Sequence, residues 1–410
     1  MNLTEREREK EGIIRDCLRK EITEFQASCK LGICIRQVAK MKARLRKDGT
    51  LMHGNCGRKP ATTISDETES RILGEYSTYI GKLLNFKHFQ EILLEDCGIK
   101  ISYTALTNLL KRNGIKSPKE HRKSHVKRHP TRPRKEYFGE LIQVDGTSYD
   151  WFDTGERQCL HVFIDDCRGV VTGLYMAKNE CMQGYFEGLR QTFESYGLPD
   201  AIYGDGLSMF FSHSKQEPTI DEQLQGIRLP KTQFAKILDS LYIDLIHAHS
   251  PQAKGRVERK NGTFQGRLVA EFHRYGVKTI DQANDFFKWW LPQHNAKFGV
   301  NGRSESVFRE LPADINLDYV LSYKKTRKCD KGGCFSMDGY LFQVLGLCNS
   351  QIEVLISKTF GVKAYFKGEY YDVVPISEGK KIIDPSESLR SIMDRFVAYY
   401  TLKNEHSLSA

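Results

Sequence analysis

Apolar residues recur at helical spacing between Ser250 and Leu268. Val257, Phe264, Leu268 and, beyond them, Phe272 form one stripe on a 100° wheel. Ser250 is placed to cap free amides, and Pro251 occupies the first helical position, where a missing N–H costs nothing. The pattern predicts a helix that docks its stripe on a core. Glu258 lies beside the stripe, on a line with Lys254, Asn261 and Gln265, while Arg256, Lys260 and Arg267 lie on the far side. A carboxylate on a helix otherwise dense in cations and amides suits metal binding next to phosphates. Taken alone, a solvated amphipathic helix with i,i+4 charge pairs fits equally well.

Toward the N-terminus the pattern predicts helices alone. Residues 1–20 are rich in Glu, Arg and Lys. Ala27 and Leu31, then Gly32, then Ile33, Val38 and Met41 fall at the offsets of two crossed helices joined by a tight turn. The second helix of this pair exposes Arg36, Gln37, Lys40 and Lys42, types that reach base edges and phosphates. An ordinary helical hairpin satisfies the same burial, but these polar types favour a helix-turn-helix. A second module follows a Gly-rich basic connector. It has a helix over about 66–79, then Phe89, Ile92 and Leu93, Gly98, and Ile101, Leu106, Leu109 and Leu110. Ser102, Tyr103, Thr104, Asn108, Lys111 and Arg112 are its exposed candidates. Two modules in tandem suit a long DNA site.

From Gly139 the period changes to two. Glu140–Asp145, Cys159–Asp166 and Val170–Met176 read as an antiparallel meander. A helix over about 182–196, a strand at 201–205, an irregular insertion at 211–229, a helix at 231–241 and a strand at 244–249 precede the opening helix. Another helix, 279–291, is expected to stop at Pro292. Strands followed by alternating helix and strand predict an α/β sandwich with a mixed sheet. Short strands at 340–344, 352–356, 362–366 and 370–374 predict a small β-barrel, with a helix at 389–399 in the tail.

Composition narrows the partners. The 410 residues carry 40% hydrophobic and 28% charged residues and a formal net charge of +10, which fits a globular multidomain chain with a polyanionic partner. No apolar run reaches bilayer length and the start has no signal core, so a cytoplasmic, nucleoid-associated protein with no membrane partner is expected. The 11 cysteines lack Cys-x-x-Cys spacing and are read as reduced thiols. The stretch 117–135 holds eight Lys/Arg, one Glu and three Pro, a linker suited to a phosphate backbone through Arg132, Arg134 and Lys135.

Three carboxylates from separate elements can converge. Asp145 is expected to end its strand in Gln143-Val-Asp-Gly-Thr147, Asp205 ends another in Tyr203-Gly-Asp-Gly-Leu207, and Glu258 is on the helix. Neighbouring Gly146, Gly204 and Gly206 leave room for a cation and a substrate backbone. Hard oxygens with few protein ligands suit Mg2+, and two ions about 4 Å apart support in-line displacement at phosphorus. Asp165 and Asp166 also follow a strand, but are read as capping the turn before Gly169.

These residues carry a resemblance. Gln143-Val-Asp145, Tyr203-Gly-Asp205 and Ser250-Pro-Gln-Ala-Lys-Gly-Arg-Val-Glu258-Arg resemble the catalytic core of the retroviral integrase superfamily. The whole chain more closely resembles bacterial insertion-sequence transposases of the ISNCY type. The resemblance implies a DDE transposase with an RNase H-like core, in which Asp145, Asp205 and Glu258 bind magnesium, with Mn2+ as a substitute and two ions per active site. It implies double-stranded DNA partners, both the terminal inverted repeats and the target, and a homo-oligomer on paired ends. The 52 residues between Asp205 and Glu258 exceed the interval of many relatives, and the 211–229 insertion accounts for the excess.

The expected fold is multidomain α+β: helix-turn-helix modules at 1–55 and 63–116, a basic linker at 117–136, an RNase H-like core at 137–300, an SH3-like β-barrel at 315–377 and a tail at 378–410. The expected activity is Mg-dependent 3′-end cleavage and strand transfer. The DNA-contact candidates are Arg36, Gln37, Lys40, Ser102, Tyr103, Asn108, Lys111, Arg112, Arg132, Arg134, Lys135, Lys254, Arg256, Lys260 and Asn261. Two alternatives remain at this stage: a regulator that kept the fold and lost catalysis, and a nuclease for branched DNA. The intact set of carboxylates disfavours the first, and the tandem modules disfavour the second.

Overall fold

The structure is a computed structural model that describes residues 5–51, 64–79, 84–118, 133–205, 209–211, 231–247, 255–300, 305–379, 381–383 and 389–406. The chain divides into two compact units between Leu73 and Gly74. Ser250, Pro251, Arg132, Lys254, Gly206 and nearly all of the expected insertion lie outside the described residues.

The first unit holds α1 (Glu5–Leu18), α2 (Glu24–Leu31) and α3 (Ile35–Asp48). Thr23 and Gln26 cap α2 reciprocally, and Gly32 ends it in the left-handed conformation that a tight turn needs. Ile14, Cys17, Ala27, Val38 and Leu45 are its buried core. Glu11 ties the end of α3 back to α1, accepting from the Leu51 amide, Arg15 and the Thr50 hydroxyl.

The helix α4 (Asp66–Ser77) leads into the second unit, where α5 (Phe86–Glu95) and α6 (Tyr103–Arg112) follow. Phe86, Phe89, Ile92, Leu106, Leu109 and Leu110 are buried, at the i, i+3, i+4 spacing of amphipathic helices. Next comes a five-stranded mixed sheet of β1 (Ile142–Tyr149), β2 (Gln158–Asp165), β3 (Val171–Ala177), β4 (Ala201–Gly204) and β5 (Asp244–His247), in the order β3-β2-β1-β4-β5. The meander β1-β2-β3 is antiparallel as expected, whereas β4 and β5 continue the sheet in parallel.

Both faces of this sheet are covered. Ile142, Val144 and Phe163 pack with α7 (Met182–Tyr196) and α8 (Gln233–Ser240). Leu160, Val162 and Ile164 pack with α9 (Gly255–Gln265), α10 (Leu268–Tyr275) and α11 (Ile280–Phe298). Edge strand β3 is closed by three side-chain amides. Asn295, Gln191 and Asn284 bond the backbones of Val171, Leu174 and Met176 through both N–H and C=O. They occupy groups that another strand would otherwise pair with.

The last part is a seven-stranded antiparallel sheet of β6 (Tyr323–Lys328), β7 (Cys334–Met337), β8 (Tyr340–Val344), β9 (Gln351–Ser357), β10 (Gly361–Phe366), β11 (Glu369–Glu378) and β12 (Lys381–Ile382). Its main path runs β6-β9-β10-β11-β8-β7. The Arg327 guanidinium donates to the Ser336 carbonyl at 3.3 Å, so the two outermost strands meet and the sheet nearly closes. Helix α12 (Leu389–His406) places Ile392, Phe396, Val397 and Tyr400 in the same core as Phe342, Val354 and Val362.

Four expectations are corrected. Strand β1 does not end at Asp145; it continues to Tyr149 because β2 pairs with it along its whole length. The helix expected through Leu268 breaks at Arg267, whose φ and ψ are −132° and −47°. Helix α11 runs through Pro292. The proline removes a bond only to the carbonyl of exposed Lys288, while His294 and Asn295 beyond it are anchored on Phe264 and β3. The tail helix is longer than expected because the open side of the barrel sheet gives it an apolar seat.

Candidate active site

The side chains of β1 alternate. Ile142 and Val144 enter one core, so Gln143, Asp145 and Thr147 face α9. Each meets the helix one turn further along. The Val257 amide donates to Gln143 Oε1 at 3.2 Å, Asn261 Nδ2 to Asp145 Oδ2 at 2.7 Å, and Gln265 Nε2 to Thr147 Oγ1 at 3.2 Å. Four helical residues rise about 6 Å and two strand residues about 6.6 Å, so the two ladders stay in step. Asn261 is buried, and its amide is turned to Asp145.

Asp205 follows β4 directly. Strand β4 pairs with β1 in parallel at Ile142↔Ile202 and Gln143↔Tyr203. Asp145 and Asp205 each lie two residues beyond the last pair, Asp205 just past the end of β4. Among the described residues the pairing of β1 with β4 stops at Gln143, short of Asp145. Both aspartates are half-buried, and Glu258 is exposed in the first turn of α9, one residue off the Val257–Asn261 line. A Cβ at Gly146 would overlap the Glu180 carboxyl, so glycine is what lets this further acid lie against the backbone next to Asp145. Glu180 accepts a hydrogen bond from the Tyr185 hydroxyl.

Among the described residues no three His, Cys, Asp or Glu side chains form a ready-made metal cage. Asp145 and Asp205 are both half-buried carboxylates, hard oxygen donors by type. That fits magnesium, which accepts one or two carboxylates and keeps water and phosphate oxygens around it.

Asp165 and Asp166 are engaged in the scaffold. Asp165 accepts from the Gly139 and Arg168 amides, and burial pushes its carboxyl up to about 6. Asp166 is fully buried and receives Gln143 Nε2 at 2.7 Å, Arg256 at 2.8 Å and the Lys135 amide at 2.7 Å. Arg134 donates to the carbonyls of Asp166 and Cys167, and Lys135 pairs with Glu140 at 2.8 Å. The described end of the basic linker is thus fastened to the sheet. Lys260 is half-buried, and burial, then Arg134, lowers its ammonium to about 8.

The remaining candidates are on the surface. Arg36, Gln37 and Lys40 are exposed on α3, and Tyr103, Asn108, Lys111 and Arg112 on α6. Ser102 is exposed and caps α6 by accepting from the Ala105 amide. Lys42 pairs with Glu24 at 2.6 Å rather than standing free.

Helix α5 has partners that its sequence did not announce. His88 Nε2 lies 2.7 Å from Glu271, Glu91 pairs with Arg267 and Lys297, and Arg274 pairs with Glu95 and Asp96. The second helical module is therefore docked on α10 and α11. Burial drives Glu271 upward, but the hydrogen bond from His88 and the nearby arginines outweigh it and hold the carboxyl below its usual range. The polar alternation Gln143, Asp145, Thr147 and the i,i+4 pair Asn261, Gln265 were the sequence signals for the ladder.

Among the described residues no helix is long and apolar enough to cross a membrane. No family model matches the chain. It is similar to the transposase for insertion sequence IS1202 of Streptococcus pneumoniae, 32% identical over 352 residues, 78% of this chain and 74% of that protein. It is also similar to the transposase y4bF of Sinorhizobium fredii, 30% identical over 316 residues, 75% of this chain and 66% of that protein. Solved structures with some likeness include an intasome of simian T-cell lymphotropic virus, at 17% identity, 70% of this chain, 92% of that one and a TM-score of 0.31. The HTLV-2 integrase catalytic core domain in complex with magnesium overlaps 38% of this chain and 88% of its own, at 22% identity and a TM-score of 0.28.

Proposed function

Because this chain belongs to the insertion-sequence transposases, we propose that it cuts the ends of a mobile element at a 3′ position and joins them to target DNA. Asp145, Asp205 and Glu258 are the carboxylates of this reaction. The observation that supports the reading is the clamp of α9 along β1, which puts Asn261 on Asp145 and holds the helix that bears Glu258 against the strand that pairs with β4.

Divalent magnesium, held by Asp145, Asp205 and Glu258, would supply a Lewis acid for the phosphoryl oxygens and lower the pKa of the attacking water, with two ions per site expected. The protein does the rest. Asn261 holds one carboxylate oxygen of Asp145 and so orients that side chain. On this reading Asp205, just past the end of β4, and Glu258, in the first turn of α9, supply the other two carboxylates. No covalent nucleophile from the chain is needed, since water and then the new 3′-OH attack phosphorus in line.

The same reading makes the sheet and its helices an RNase H-like core over 137–300, followed by an SH3-like barrel over 315–377 and a tail over 378–410. It makes 1–55 and 63–116 helix-turn-helix modules that read the terminal inverted repeats, with 117–136 as the basic linker between them and the core. Arg36, Gln37 and Lys40 on α3 and Asn108, Lys111 and Arg112 on α6 are the exposed side chains suited to base edges and phosphates. Cutting two ends and joining both to one target calls for a homo-oligomer on paired ends.

The test is cleavage of duplexes that carry the inverted repeats flanking the gene. With Mg2+ the protein should release a 3′-OH at the repeat boundary, and chelation should stop it. Specific binding without cleavage, in Mg2+ or Mn2+, would make the chain a DNA-binding regulator instead.

A further inference from the structure

On the side of α9 away from Asp145 lies a second feature. Arg134, Arg256, Arg259, Lys260 and Thr263 surround a cavity of about 200 Å3 beside the turn at Gly169. Several waters' worth of space is available, at about 30 Å3 each. Gly169 has φ +64°, and the Arg134 guanidinium lies over it, 3.4 Å from where a Cβ would stand.

The charges around the cavity do not balance. Arg256 is matched by Asp166. Arg134 rests on two backbone carbonyls, which are neutral acceptors. Among the described residues neither Arg259 nor Lys260 pairs with a carboxylate. The contact of Lys260 Nζ is His294 Nε2 at 3.5 Å, and burial followed by the cations Lys260, Arg267 and Lys297 lowers that imidazole to about 3, so it carries no charge at neutral pH. Crowding cations without an anion is unfavourable, and an anion entering the cavity would relieve it.

We propose that this cavity is a phosphate-binding site, and that its occupant is a backbone phosphate of duplex DNA lying across α9. Arg259 and Lys260 supply the unmatched charge, and Arg134 and Arg256 the fixed donors. The cavity and the carboxylates are separated by one helix, about 10–12 Å across. DNA grooves are about 6–12 Å wide, so two phosphates facing one groove can straddle such a helix. The choice of DNA as occupant rests on the transposase reading; the phosphate chemistry does not.

Two measurements on the full-length protein, both in EDTA so that cleavage plays no part, test the site. The first is limited acylation of lysines at pH 8, read by mass spectrometry. Duplex DNA should protect Lys260 at low salt, with inorganic phosphate protecting only at higher concentration. The second is the dependence of duplex affinity on salt. Arg259→Ala combined with Lys260→Met should reduce the log–log slope by about one, the value of one lost phosphate contact. Lys260→Arg should keep the wild-type slope, and melting curves should show all variants folded. Protection by phosphate but not by DNA would overturn the DNA assignment in favour of a small phosphate ligand. No protection by either, with an unchanged slope in the double variant, would overturn the site itself. Failure of wild-type protein to cleave element ends would instead count against the transposase reading and leave these results standing.

Discussion

Asn261 Nδ2 lies 2.7 Å from Asp145 Oδ2, while the amide's own oxygen is buried with no hydrogen-bond partner among the described residues. The amide therefore contributes one strong bond, to a carboxylate, and that bond joins the helix bearing Glu258 to the strand bearing Asp145. Hydrogen bonds to charged groups contribute about 1.5–3 kcal/mol. Residues that orient a metal ligand typically alter affinity by about 10–100-fold. Asn261→Ala should weaken Mn2+ binding, measured by calorimetry, within that range, and lower end cleavage in proportion. Asn261→Asp should lower cleavage more, by setting a like charge against Asp145. Unchanged Mn2+ affinity in Asn261→Ala would remove Asn261 from the site.

Acid should loosen the second unit through its buried histidines. Burial lowers His88 below its ordinary 6.5, His161 to about 4 and His294 to about 3. In the unfolded chain these rings take up protons near pH 6.5, before the folded chain does. Their contribution is thus complete above 6.5 and is lost as pH falls toward 3–4. Glu271, held below its ordinary 4.5, adds a loss below that value. Asp165, raised to about 6, works in the opposite direction over pH 4–6 and offsets part of the loss. The urea midpoint should fall between pH 7.5 and 5, and His88→Gln with His294→Gln should flatten that fall. A midpoint independent of pH would contradict the assignment of these rings as neutral.

Much of this arrangement was legible in the sequence. The stripe Val257, Phe264, Leu268, Phe272 is buried as its spacing required, and the meander and barrel strands fall close to their expected places. What was not legible depended on partners distant in sequence. Asp145 looked like the end of a strand because glycine follows it, yet β2 holds β1 extended to Tyr149. Strands β6 and β7 were not foreseen, since Lys324, Lys325, Arg327 and Lys328 hide the alternation that a sheet edge retains. Nothing local in the sequence marks His88, Glu91 and Glu95 as partners of Glu271, Arg267 and Arg274. The amide of Asn261 looked like a DNA contact because nothing local said that Asp145 lay opposite.

Recognition should separate by residue type. Arg36→Ala and Gln37→Ala should each reduce discrimination between element ends and scrambled DNA by about 1–3 kcal/mol. Lys40→Ala should weaken binding to both alike and reduce the salt slope by about one. Footprints on element ends should extend over more than one helical turn. Equal loss on both DNAs for Arg36→Ala would make that residue a backbone contact.

Assembly should be visible in complementation. The division at Leu73/Gly74 leaves α5 docked on α10 and α11 when residues 1–73 are removed. A Glu258→Gln chain and a chain lacking residues 1–73 should each fail to cleave, but their mixture should regain activity, one supplying recognition and the other the carboxylate. Light scattering should give at least two protomers per pair of ends. No activity in the mixture, with one protomer per pair, would contradict action in trans.

The most direct measurement is end cleavage by carboxylate variants whose DNA binding is checked in parallel. Asp145→Asn, Asp205→Asn and Glu258→Gln should bind element ends within a few-fold of the parent yet produce no detectable 3′-OH in Mg2+. Asp166→Asn serves as the structural counterpart. It removes the partner of Arg256 and should lower stability by roughly 3 kcal/mol, as breaking a buried pair does, but should still cleave at a temperature where it is folded. Cleavage at the parental rate by Asp145→Asn, with Asp166→Asn folded but inactive, would contradict the account by moving the chemistry to the other end of the same strand pair.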